Sequence, residues 1–222
     1  MKKSDILNTT IIVLLTVLTV TAQKKSLIKK NEYMIKYAII SQGFPVNPVT
    51  PWFLNLQTEL NKLEIETSLP QMSEVPSLEK WQNTLSLKIG KNIDKTILIG
   101  HSIGCVNVLK YIESNSVTKK IPLVVLVAPP AFNLHYEPLN SFFDKPLDFE
   151  KINSKVEKFV IIIAKNDSIL KPHPLDHVAV FLEKLKCKII LLSQGGHFGP
   201  FDENGGVSIP ELVEEIKSNV VK

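Results

Sequence analysis

The chain has 222 residues, 44% hydrophobic and 22% charged, which suits one soluble globular domain with a sizeable core. The net charge of +4 is concentrated at one end: Lys2, Lys3, Lys24, Lys25, Lys29 and Lys30 lie in the first thirty residues, opposed only by Asp5. The rest is close to neutral and contains no arginine, which excludes the basic face of a nucleic-acid binder and the bidentate fork that grips phosphate.

Residues 6–22, ILNTTIIVLLTVLTVTA, carry no charge, and Ile11 to Val20 is their most apolar part. That run is short for a bilayer-spanning helix, which needs about 20 residues. With Lys2 and Lys3 before it and Val20-Thr21-Ala22 as a small-residue cleavage site, it fits a secretory signal. The four lysines after it fit an uncleaved anchor instead, with the following domain facing the cytoplasm. A third reading makes residues 1–33 an extension outside the working protein, with the domain, 34–222, starting at Met34. The first two readings imply export or membrane association through residues 6–22, and the third a cytoplasmic protein.

From residue 35 short apolar runs alternate with amphipathic helices. Ile35–Ser41 reads as a strand. Thr50-Pro51 opens a helix to about Leu63, with threonine as cap and proline in the first turn. Glu64–Leu69 offers a second strand. Pro76-Ser77 starts a helix to about Lys88, with Leu78, Trp81 and Leu85 toward the core and Leu87 as a further core candidate. Thr96–Gly100 is a strand and Ile103–Glu113 a helix on which Cys105 reads as a small buried hydrophobe. With Cys187 it makes no disulfide framework. Ile121–Ala128 and Phe159–Ala164 are unbroken apolar runs, the pattern of strands covered on both faces. Pro174–Lys186 is a helix, Cys187–Leu192 a strand and Pro210–Val220 the last helix. This alternation predicts an α/β fold of three layers, a mostly parallel sheet with helices on both faces. Residues 129–147, with four prolines and several aromatics, interrupt the rhythm as an insertion of the kind that is commonly functional.

Gly100-His101-Ser102-Ile103-Gly104 matches G-x-S-x-G between a strand and a helix. That pattern puts a serine on a sharp, strained turn with the helix N-terminus beneath a developing oxyanion. A chance match is the competing explanation, which the strand and helix on either side make less common. The partners of such a serine follow as Asp or Glu, then His. Asp167 lies just past the strand FVIIIA, and His197 follows the strand KIILLS and two glycines. Both emerge from the sheet edge that carries Ser102, where open α/β sheets hold their ligands. The plainer readings are a turn residue for Asp167, in Asn-Asp-Ser, and a surface-loop histidine for His197. Backbone N–H groups of Phe44, after the first strand, and Ile103 would form the oxyanion hole, unless Gly43 is a simple turn. His101 is the variable position of the elbow. His135, in the insertion, is either exposed or in the substrate site. His173 and His177 are four apart but lack a third ligand, so no metal site is expected.

These residues resemble the small α/β serine hydrolases of the retinoblastoma-binding-protein type. The likeness runs from about Lys36 to Lys217 through Gly43-Phe44, Trp52, Leu69-Pro70-Gln71-Met72, Leu78-Glu79-Lys80-Trp81, IGHSIGC, PLDFEKI, AKNDSIL and GGHFG. The resemblance implies a compact α/β-hydrolase fold with a reduced sheet, no cofactor, and esterase-like activity in some members. Gln42 departs from the histidine that often precedes the glycine in related hydrolases. The expected chemistry is acyl transfer to water: Ser102 attacks an ester or amide carbonyl, His197 takes its proton and Asp167 orients the imidazole. The alternative is a protein-interaction module that keeps the fold with little turnover, since some relatives bind proteins. Labelling by a fluorophosphonate, which needs an activated serine, separates the two.

Overall fold

A computed structural model describes residues 35–46, 50–116, 119–199 and 208–220. Its centre is a six-stranded sheet in the order β2-β1-β3-β4-β5-β6 with every neighbouring pair parallel. The strands are β1 (Tyr37–Ser41), β2 (Glu66–Ser68), β3 (Thr96–His101), β4 (Leu123–Val127), β5 (Phe159–Ala164) and β6 (Cys187–Leu192). The helices are α1 (Pro51–Asn61), α2 (Leu78–Ile89), α3 (Ile103–Ser114), α4 (Phe149–Ser154), α5 (Pro174–Lys184) and α6 (Pro210–Val220). This is the three-layer α/β-hydrolase fold.

The period of two along each strand divides the core into two halves. Ala38, Ile40, Ile97, Ile99, Val125, Val127, Val160 and Ile162 pack with Trp52, Phe53, Leu56 and Leu60 of α1 and Leu212, Val213 and Ile216 of α6. Ile39, Leu98, Val124, Leu126 and Ile161 face the other way, against Leu85 and Ile89 of α2, Cys105, Val108, Leu109 and Ile112 of α3, and Phe181 of α5. Every residue of β3, β4 and β5 is buried, which is why their sequences show no polar alternation.

Several predicted boundaries shift for local reasons. Glu64 takes φ 59°, a left-handed turn leaving α1, so β2 begins only at Glu66. β4 is shorter than the apolar run around it, because Ile121 makes only a lone bridge to Val156. Leu87 is 86% exposed. It lies two residues beyond buried Leu85, which puts it on the opposite side of α2. The insertion contains a 3-10 helix, Glu137–Phe142, whose Leu139 and Phe142 pack on Met72, Trp81, Ile103 and Val106. Helix α4 was not expected from the sequence. Asp148 caps it by accepting from the Lys151 amide at 2.9 Å, and Ile152 is its buried anchor.

The edge of the sheet is tied to α6 by charge. Glu215 is 5% exposed and pairs with Lys158 at 2.9 Å and with Lys188 of β6. Burial opposes its ionisation, but the bonds from Lys188, Lys158 and Asn219 outweigh it and hold the carboxyl at about 2. A carboxylate held below its usual value stabilises the fold above about pH 4.5 and loses that contribution as pH falls toward 2. Both lysines are partly solvated, which limits the effect. Glu215→Gln should therefore lower unfolding stability at pH 7 by about 1–2 kcal/mol in urea titrations. The gap from wild type should close as the pH is taken below about 4.

The described residues belong to one compact unit. The alternatives for residues 1–33 fall outside them. Among the described residues, no helix is long and apolar enough to cross a membrane.

Candidate active site

β3 delivers the chain to Ser102, which takes φ 53° and ψ −128° before α3 begins at Ile103. This conformation is strained for a residue with a side chain, as a nucleophile elbow demands. The flanking glycines are required by close packing. A Cβ on Gly100 would lie 2.5 Å from the Cys105 Cα, and one on Gly104 would lie 2.1 Å from the Ser41 carbonyl oxygen. The Ser102 amide donates to the Val127 carbonyl at 2.9 Å, which fixes the elbow to the end of β4.

Asp167 follows β5 at the same edge and is 4% exposed. Its Oδ1 accepts from the amides of Ile169 and Leu170 at 2.9 and 3.1 Å. Its Oδ2 lies 2.8 Å from His197 Nδ1. His197 Nε2 lies 2.7 Å from Ser102 Oγ. Three residues from the ends of β3, β5 and β6 thus form one continuous chain of contacts. Two other aspartates have local roles: Asp148 caps α4 and Asp176 sits in the first turn of α5. Asp202 is outside the described residues.

His197 is aimed by an unusual turn. Gly195 has φ 148° and Gly196 φ 56°, and Phe198 has φ 55°. A Cβ at Gly195 would meet the Phe198 ring at 2.6 Å. Asn166 spans the two loops: its Nδ2 donates to Gln194 Oε1 and its Oδ1 accepts from the Gly196 amide, each at 2.9 Å.

A cavity of about 390 Å³ opens over Ser102 and His197, within the range of small-molecule sites. Phe44, Pro45, Phe53, Leu134, Tyr136, Leu139 and Ile169 supply the apolar and aromatic part of its wall. Phe44 lines the cavity and Ile103 opens α3, so both residues flank Ser102. Gly43 passes so close that a Cβ there would lie 3.0 Å from that of Ser102. Gln42 is 1% exposed; its amide nitrogen reaches the Pro70 carbonyl at 3.5 Å, and its Oε1 has no hydrogen-bond partner among the described residues.

The family model for serine hydrolases matches residues 38–213. The chain belongs to the serine hydrolase family. It is 26% identical over 188 residues to YdeN of Bacillus subtilis (strain 168), covering 83% of this chain and 96% of that protein. It is also 26% identical over 127 residues to the serine hydrolase RBBP9 of Rattus norvegicus, covering 56% of this chain and 61% of that one. The crystal structure of the B. subtilis ydeN product superposes with a TM-score of 0.76 at 24% identity, over 84% of this chain and all (100%) of that one. The resemblance read from the sequence motifs is thereby shown.

Other histidines of this hydrolase have definite places. His135 is exposed, while its neighbours Leu134 and Tyr136 line the cavity. His173 caps α5 by accepting from the Leu175 amide. His177 is fully buried, accepts from the Ala131 amide at 2.9 Å and donates to the Lys171 carbonyl at 2.9 Å. It therefore pins the insertion to the loop after β5. Burial lowers its pKa and favours the neutral ring these two bonds need. Among the described residues no group of three or more His, Cys, Asp or Glu is placed to hold a metal.

His101 carries more than its variable place in the motif suggests. It is 6% exposed, and its Nε2 lies 2.7 Å from the His197 carbonyl oxygen. Burial first, then the neighbouring His197, push its imidazole down to about 3. No local sequence signal marks this contact, since it joins residues 96 apart in the chain.

The tightest point of the site is Gly104, where an added Cβ would also come within 2.5 Å of the Gln42 carbonyl oxygen. Both close atoms are backbone, so relief requires β1 and its loop to move. Gly104→Ala should cost on the order of 3 kcal/mol in unfolding stability. Fluorophosphonate labelling of the surviving folded fraction should be slowed, because the loop over Ser102 is displaced.

Proposed function

We propose that this serine hydrolase cleaves carboxylic esters through an acyl-enzyme, with Ser102 as nucleophile, His197 as general base and Asp167 as the group that orients it. The observation that carries the reading is the unbroken path of 2.8 and 2.7 Å contacts from Asp167 Oδ2 through the His197 ring to Ser102 Oγ. Asp167 favours the tautomer with the proton on Nδ1, leaving Nε2 free to accept the serine proton. As Oγ attacks the carbonyl carbon, the proton passes to Nε2 and the carbonyl oxygen gains charge. The amides of Ile103 and Phe44 are the proposed donors to that oxygen, aided by the N-terminus of α3. Nε2–H then protonates the leaving alcohol oxygen. Water, activated by the same nitrogen, releases the acid and restores Ser102.

Among the described residues lining the cavity there is no Asp, Glu or Lys. This supports an uncharged, mainly apolar acyl group, because a buried charge without a partner would be expensive. The test combines labelling with a substrate panel. A fluorophosphonate should modify one residue, mapped by mass spectrometry to the peptide carrying Ser102. Nitrophenyl esters of uncharged acids should turn over faster than the hemisuccinate ester. Ester turnover with the label on another residue would overturn the mechanism. Absence of both labelling and ester turnover in the folded protein would favour the interaction module.

The family match begins at residue 38, which supports placing the whole activity in residues 34–222. A chain starting at Met34 is expected to hydrolyse esters with the full chain's kcat/KM. A loss beyond about tenfold, about 1.4 kcal/mol, would show that the first 33 residues contribute.

A further inference from the structure

We propose that His101 and Trp52 are positioning residues that clamp the turn carrying His197, by donating hydrogen bonds to two consecutive backbone carbonyls. The inference rests on the reading of His197 as general base.

The turn needs such a support. Gly195, Gly196 and Phe198 all have positive φ, so the segment departs from strand geometry just where it presents the imidazole. Its amide side is held from nearby: Gly196 N–H donates to Asn166 and Phe198 N–H to the Gly195 carbonyl at 3.1 Å. Its carbonyl side is held from far away. The His197 oxygen accepts from His101 Nε2 at 2.7 Å, and the Phe198 oxygen accepts from Trp52 Nε1 at 2.9 Å.

A carbonyl can only accept, so His101 must carry its proton on Nε2. The two donor rings form one unit, with centroids 5.6 Å apart and planes at 86°. Phe53 packs edge-on against His101 at 6.0 Å, and Trp52 is 1% exposed. Rigid, buried rings of this kind fix a donor more firmly than a solvated side chain does. The neutral state of His101 also matters, since its ring lies 5.5 Å from that of His197. A cation there would oppose the imidazolium that His197 forms in each proton transfer.

The clamp has a particular logic in the chain. His101 directly precedes Ser102, so one residue sets the nucleophile's turn through its backbone and the base's turn through its side chain. The 2.7 Å Ser102–His197 contact is thereby referenced to a shared rigid point. Neither ring touches the reacting atoms in this scheme. Their effect is on geometry, where an error near 1 Å can cost about a hundredfold in rate.

The test uses the full chain and an activated nitrophenyl ester. His101→Leu removes the donor while keeping an apolar ring site filled, and His101→Gln restores an N–H at similar reach. Trp52→Phe removes the second donor and keeps an aromatic ring. His101→Leu should lower kcat about a hundredfold with KM within about threefold, and fluorophosphonate labelling should slow in parallel. His101→Gln should recover kcat to within about tenfold of wild type, and Trp52→Phe should lose about tenfold. Wild-type kcat in a folded His101→Leu protein would overturn the clamp. So would a folded His101→Gln that is no better than His101→Leu. If His101→Leu does not fold, His101→Gln and Trp52→Phe decide alone. A hundredfold loss in folded His101→Gln, or full kcat in Trp52→Phe, would then refute the proposal. Ser102→Ala is measured alongside. Retained hydrolysis in that variant would remove the catalytic reading itself and the clamp with it, whereas an inactive Ser102→Ala beside a fully active His101→Leu defeats the clamp alone.

Discussion

Ser102→Ala is expected to lower kcat/KM for an activated ester by on the order of 10⁵-fold and to abolish fluorophosphonate labelling. Oγ is the atom that would form the acyl bond, and it lies 2.7 Å from His197 Nε2. A trace of rate over water should persist, since binding and backbone donors remain. The fold should survive. Alanine at φ 53° is no more strained than serine there, and the lost hydrogen bond is worth about 1 kcal/mol. Urea unfolding, ester turnover and labelling measured on one preparation give the three readings. Equal labelling of the variant and the wild type would sink the assignment.

Asp167→Asn should keep the fold and reduce turnover by about 10⁴-fold. The structure shows why the two effects separate. Asparagine retains an Oδ1 to accept from the Ile169 and Leu170 amides, so the loop after β5 keeps its turn. Its amide nitrogen would replace Oδ2 opposite His197 Nδ1 and would have to donate. The ring proton would then sit on Nε2, facing Ser102 Oγ. Such a ring cannot take the serine's proton. An unfolding curve like the wild type's, together with collapsed kcat, is the expected pair. Full activity on a substrate whose hydrolysis depends on Ser102 would overturn the orienting role.

Those two residues and His197 were legible because each stands at the end of an apolar run. β3, β5 and β6 announce themselves by composition, and topology then brings their carboxyl ends to one edge. The order serine, aspartate, histidine is also a local reading of the chain. His101 and Trp52 were not legible in the same way. Their partners are the carbonyls of residues 96 and 146 positions away, and a backbone acceptor leaves no mark in the sequence. His177 was weighed as a metal ligand because spacing was its one visible feature; its two backbone partners are tertiary. Helix α4 escaped notice because six residues are too few for a periodic signal. Its cap Asp148 and the spacing of Phe149 and Ile152 were the available clue. Leu87 shows the opposite error, in which hydrophobicity was read without the helical angle.

The strand order also bears on synthesis of the protein. The sheet grows outward from β1 and β3 through β4 and β5 to β6, and His197, the proposed base, lies beyond the last strand. A ribosome must therefore make residue 197 before the contacts that join Ser102 and Asp167 through its ring can form. Until then β5, FVIIIA, presents a bare edge of apolar residues that are fully enclosed once β6 and its neighbours arrive. A nascent or truncated chain would be inert as a hydrolase and exposed to edge-to-edge aggregation at once. The same edge suits a split reporter: a fragment ending near residue 184 and one carrying β6, His197 and α6 should regain esterase activity only on pairing.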